Sequence, residues 1–74
     1  MVLSLSETVA GEVRAEMGRS RVSASELARR LGRSHSYVWR RITGDVPFDI
    51  AELSAIAEAL GVPVSRLMPA ERVA

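Results

Sequence analysis

Apolar residues recur at helical spacing along most of the chain, and glycines and prolines interrupt them at regular points. Leu5, Val9, Val13 and Met17 repeat every four residues with Ala10 beside them, which makes one stripe along a first helix. Glu12, Arg14 and Glu16 fall off that stripe. Ser4 followed by Glu7 has the form of a capping box, and Gly18 predicts the stop. Leu27, Ala28 and Leu31 predict a short second helix that opens on a further capping box, Ser23 with Glu26. Val22 and Leu27 stand at the positions of a hydrophobic staple around that cap, and Gly32 can take positive φ in a tight turn after it.

Ser34 caps a third helix. With Val38 at the centre of its buried face and a step of about 100° per residue, Ile42 falls beside Val38 and His35 on the flank. Ser36, Arg40 and Thr43 fall opposite, with Tyr37 and Trp39 on the shoulders. Gly44 to Pro47 reads as a turn. Asp49 with Glu52 is a third capping box, Phe48 with Leu53 repeats the staple, and Ile50, Leu53, Ile56, Ala57 and Leu60 form the stripe of a fourth helix. Gly61 and Pro63 end it, and a short fifth helix is expected from Val64 to Met68. Leu5, Val13, Leu53 and Ile56 are expected in the core. The expectation is an all-α, compact five-helix domain over residues 1–69, followed by a flexible tail at 70–74.

Composition narrows the class. At 74 residues the chain supports one domain and one core. It has no cysteine, so a disulfide framework and a thiolate zinc site are excluded. No apolar run reaches the roughly 20 residues of a membrane helix. Met1 to Leu5 is too short, and lacks the basic leader, for a signal peptide, so a cytoplasmic location is expected. The net charge of +1 is uninformative, but its distribution is not. Arg14, Arg19, Arg21, Arg29, Arg30, Arg33, Arg40 and Arg41 crowd the middle of the chain, whereas Asp45, Asp49, Glu52, Glu58 and Glu71 make the remainder acidic. Such a division creates a one-sided field that can face a polyanion; the alternative is a solvated surface laced with helix ion pairs.

The candidate chemistry is recognition rather than catalysis. His35 is the single histidine, and there is neither a second histidine nor a cysteine to share a metal with it. Ser34 and Ser36 adjoin it, but no acid is placed to complete a catalytic set. No enzyme activity, metal or cofactor is expected. The outward face of the third helix suits hydrogen bonding to base edges and phosphates better than it suits a core. Arg40, at its centre, is the strongest candidate for reading a base, because bidentate Arg–guanine pairing is the commonest specific contact. Trp39 divides between touching a thymine methyl or sugar–phosphate edge and packing on the second helix or the 44–48 loop, with its indole N–H toward phosphate. Tyr37 divides between phosphate and packing. Arg29, Arg30 and Arg33 are phosphate candidates or solvated helix charges. Arg41 is expected to pair with an acid such as Asp45 or Glu26.

The residues Ser23, Glu26-Leu27-Ala28, Leu31-Gly32, Ser34, Val38 and Gly44, with Leu53, Ile56-Ala57, Ala59-Leu60-Gly61-Val62 and Leu67 downstream, resemble the lambda-repressor-like helix-turn-helix family. That family includes phage Cro proteins, phage repressors and xenobiotic-response-type bacterial regulators. The similarity covers about two-thirds of the chain, and the run from Tyr37 to Ile50 looks like actinobacterial and actinophage members. The resemblance implies that the second helix crosses the DNA backbone while the third enters the major groove. It places Ser34, His35, Ser36, Trp39, Arg40 and Thr43 at positions that contact bases or nearby phosphates, and Arg33 and the backbone near Gly44 close to phosphate. Many members carry Gln where this chain has Ala24, so the bracing phosphate contact is either missing or supplied by Ser23, Ser25 or an arginine. Arg41 and Ile42 also depart from the family order, with Ile42 taking the core role one residue later.

The implied function is a sequence-specific transcription regulator, a Cro-like protein or small phage or prophage repressor. Its partner would be double-stranded operator DNA, palindromic and bound by a homodimer formed through Val62, Val64, Leu67 and Met68. The alternative is a protein-interaction module on the same fold, an adaptor or antitoxin-like partner.

Overall fold

The computed structural model describes residues 4–69; the tail expected at 70–74 lies outside them. Four α-helices occur in order: α1 (Leu5–Ser20), α2 (Ala24–Leu31), α3 (His35–Ile42) and α4 (Ile50–Leu60). The fifth expected helix is instead a single 3₁₀ turn, Val64–Leu67. Pro63 blocks continuity with α4, and only four residues remain before the chain extends again at Met68, too few for an α-helix to close its own hydrogen bonds. The described residues contain no strand.

The helix starts obey the expected chemistry. Ser4 and Asp49 each accept from the backbone of the third helical residue, and Glu7 and Glu52 reach back to the cap backbone, closing both boxes. Ser23 accepts from the Glu26 amide, but the reciprocal half is missing. The Glu26 carboxylate is taken instead by Arg29 and Arg30. Ser34 accepts from the Tyr37 amide.

The helix ends hold one correction. α1 runs through Gly18 and stops at Arg21, which takes the left-handed conformation at φ 56°. Val22 sets the stop: it is buried with Met17 in the core, and its amide bonds the Met17 carbonyl while the Arg21 amide bonds that of Gly18. α2 closes the same way at Gly32, φ 67°, with Arg33 and Gly32 amides returning to Ala28 and Arg29. At Arg21 a side chain sits where glycine is favoured, so Arg21→Gly should stabilise the fold by about 0.5–1 kcal/mol, net of the added freedom of the unfolded chain. Thermal melting would show this as a rise of a few degrees; an unchanged or lowered midpoint would mean that the Arg21 side chain contributes a compensating contact.

The core joins Val9, Val13 and Met17 of α1, Val22, Leu27 and Ala28, Val38 and Ile42 of α3, Leu53, Ile56, Ala57 and Leu60 of α4, and Leu67. Two residues of the expected stripes of α1 and α4 are instead exposed, Leu5 at 63% and Ile50 at 85%. Both are the first residue after a cap. Side chains on a helix tilt toward its N-terminus, so a first-turn residue points past the end of the helix and beyond its neighbours. In the opposite sense, Glu16 is buried, and its carboxylate accepts from Arg19 with the Arg66 guanidinium 3.6 Å away, linking α1 to the 3₁₀ turn. Leu67, expected at a dimer surface, is fully buried within its own chain.

Candidate nucleic-acid interface

Eight residues of α3 carry two opposed faces. Val38 and Ile42 enter the core, while His35, Ser36, Trp39 and Arg40 are exposed, together with Thr43 at the cap. The turn that delivers α3 is short: Gly32 leaves α2 in the left-handed conformation, and Ser34 begins α3 two residues later. α2 packs directly against α3, and α1 supports both α3 and α4. The third helix therefore seats one face in the core and leaves the opposite long face uncovered.

Within that face the side chains are not equivalent. Trp39 is 53% exposed and stacks on His35, with centroids 5.9 Å apart and planes 16° apart. It thus leans along its own helix. The Thr43 hydroxyl donates to the Trp39 carbonyl at 2.8 Å, with the Arg40 carbonyl at 3.3 Å, so its only proton is already directed at the helix end. The Gly44 amide donates to the Arg41 carbonyl. Ser36 and Ser25 are exposed, whereas the Ser23 and Ser34 hydroxyls hold their own helix starts.

Arginines that look alike in sequence have different partners. Arg29 and Arg30 share the single carboxylate of Glu26, and Arg30 also donates to the Ala59 carbonyl of α4. The hydrogen bond from Arg29, together with that from Arg30, holds the Glu26 carboxyl down at about 2, so it stays ionised and offsets part of their charge. Arg41 pairs with Glu52 of α4 at 2.8 Å, rather than with Asp45 or Glu26. Among the described residues Arg14, Arg21, Arg33 and Arg40 form no salt bridge. Arg14 spends its guanidinium on the Ile42 carbonyl at the end of α3. Arg33 lies over the Tyr37 ring, 4.8 Å from its centroid. Arg40 is exposed and, among the described residues, is the unpaired cation of the outward face itself.

Tyr37 is drawn away from that face. Its hydroxyl donates to the Glu52 carboxylate, and the Arg41 guanidinium lies 3.7 Å from its ring centroid. The bond to Glu52 raises the Tyr37 phenol above its ordinary range, which keeps it a donor. Burial pushes the Glu52 carboxyl up, but the bonds from Tyr37, the Asp49 amide and Arg41 outweigh this and hold it below the ordinary value. Along the chain, neither Glu52 as this partner nor Arg14 as the support of α3 is visible; both lie in other helices, where spacing marks Glu52 as a capping partner of Asp49 and Arg14 only as polar.

The described residues contain no group of acids and His that could hold a metal ion, and no helix long and apolar enough to cross a membrane. Of the expected dimer residues, Val64 and Met68 are exposed at 44% and 41%, Val62 is half-buried, and Leu67 is inaccessible. A family model described as a helix-turn-helix domain matches residues 8–68, from within α1 through the 3₁₀ turn. No curated protein gives a significant match to the chain.

Proposed function

The chain belongs to the helix-turn-helix domain family, and from that premise we propose that it is a sequence-specific transcription regulator of the Cro-like or small phage-repressor kind. It binds operator DNA in the cytoplasm by laying α3 in the major groove, and it carries out no reaction. The observation that supports this reading most directly is the exposed face of Ser36 and Arg40, flanked by His35 and Trp39, with Arg40 unpaired among the described residues. An unpaired arginine has its fork available for guanine O6 and N7, which neither Arg41 nor Arg30 could offer without breaking an existing bond. Arg29 and Arg33, both exposed, make the phosphate contacts in this reading. The protein acts as a homodimer on a palindromic site, with half-sites roughly 34 Å apart, and Val64 and Met68 are the apolar side chains available for pairing.

Selection from a random duplex library tests the reading. A two-fold symmetric consensus is expected, with affinity falling steeply as salt rises, by a log–log slope of about 0.9 per phosphate engaged. Failure to enrich any sequence, together with salt-insensitive capture of a protein partner through the Val64 and Met68 surface, would favour the interaction-module reading instead.

A further inference from the structure

Two connections hold α3 from outside the core, and one of them sets its rotation. No Cα of α3 lies within 8 Å of a Cα of α4, so the two helices meet only through side chains. A cleft of about 260 Å³ bordered by Leu31, Tyr37, Ala55 and Ile56 occupies part of that space. Across it, Tyr37 and Arg41 both reach the Oε2 atom of Glu52, and the other carboxylate oxygen, Oε1, accepts from the Asp49 amide at the start of α4. Glu52 is thereby fixed to α4 by its own capping box before it receives either α3 residue. The Arg41 and Glu52 side chains are each 16% exposed, which shields the pair from screening and fixes its geometry.

We propose that Glu52 is a positioning residue for sequence recognition: through Tyr37 and Arg41 it sets the roll of α3, and so where Ser36 and Arg40 point. The inference rests on the DNA-binding reading above. Tyr37 and Arg41 are four residues apart on one face, and Ser36 and Arg40 each precede one of them by a single residue. Any roll that moves the first pair moves the second by the same angle. A side-chain tip about 8 Å from the helix axis travels about 2 Å for a roll of about 15°, which exceeds the few tenths of an ångström that a hydrogen bond tolerates. Burial of Val38 and Ile42 decides which face of α3 turns outward, but those contacts are non-directional and leave the fine roll to the charged bonds to Glu52, which are directional. The Arg14 bond meets the Ile42 carbonyl at the C-terminal end of α3, where the carbonyl runs nearly parallel to the axis and so constrains roll least.

The test uses the whole chain with Glu52→Gln and, separately, Tyr37→Phe, which keeps the ring beneath Arg33 and Arg41 and removes only the hydroxyl. Binding is measured on the duplex selected by the unaltered protein and on a scrambled duplex of equal length. Each variant is expected to lose about tenfold of its preference for the selected duplex, with scrambled-duplex affinity nearly unchanged. Amide resonances of the free variants should shift along α3, the single Trp39 included, more than along α1 and α2. Equal loss on both duplexes, or full retention of preference by folded variants, overturns the proposal. The resonances separate the two ideas: if the unaltered chain selects no duplex, the DNA-binding reading fails, while unmoved α3 resonances in the variants refute the positioning role independently.

Discussion

Leu67→Ala should lower the unfolding free energy by about 2–5 kcal/mol, the usual cost of emptying a fully buried leucine site. A domain of this length holds roughly 4–11 kcal/mol in all, so the variant stands near the edge of folding. Its melting midpoint should fall by at least about 10 °C. The size of the effect reflects where Leu67 sits. It is completely inaccessible, and its 3₁₀ turn packs on both α1 and α4. It fills the space that closes the first helix against the fourth. Val64→Ser and Met68→Ser, on the exposed side of the same segment, should leave the midpoint of the monomer nearly unchanged. A Leu67→Ala protein that melts normally but associates less would restore Leu67 to a dimer surface and contradict its burial.

Arg40→Ala should weaken binding to the selected duplex by about 1–3 kcal/mol and relax the preference at one base position of each half-site. The prediction depends on the proposed function and on Arg40 having no competing partner. Removing Arg41 instead should behave differently: its guanidinium bonds Glu52 and the Tyr37 carbonyl, so Arg41→Ala should first cost stability. A position-by-position binding profile separates the outcomes for Arg40. Relaxation at one base marks a base contact; a uniform loss across all sequences, with the salt slope reduced by about one, marks a phosphate contact and refutes base reading by this residue.

Most of the helical framework was legible along the chain because its signals are local. A cap and its partner lie within three residues, so Ser4 with Glu7, Ser34 before Tyr37 and Asp49 with Glu52 could be read directly. The left-handed turn at Gly32 and the split of α3 into a Val38–Ile42 face and a Ser36–Arg40 face also come from spacing alone. Where local reading failed, burial of a residue or a competing partner had intervened. Gly18 did not stop α1, because burial of Val22 placed the closing bonds one turn later. The second capping box opened because Glu26 found Arg29 and Arg30.

Sequence by itself determined an all-helical chain, the order and starts of its helices, and the residues that α3 turns outward, because each depends on periodicity and on hydrogen bonds within a turn. Only the tertiary structure decided which arginines remain available. Charge is written in the sequence, but whether a guanidinium is free depends on which carboxylate or carbonyl folding brings to it. Arg14 was consumed by Ile42 at a separation of 28 residues, Arg41 by Glu52 at 11, and Arg40 by nothing among the described residues. The same physics buried Glu16 and Leu67 and left Leu5 and Ile50 in water: a stripe specifies a direction, and burial requires a neighbour to be there.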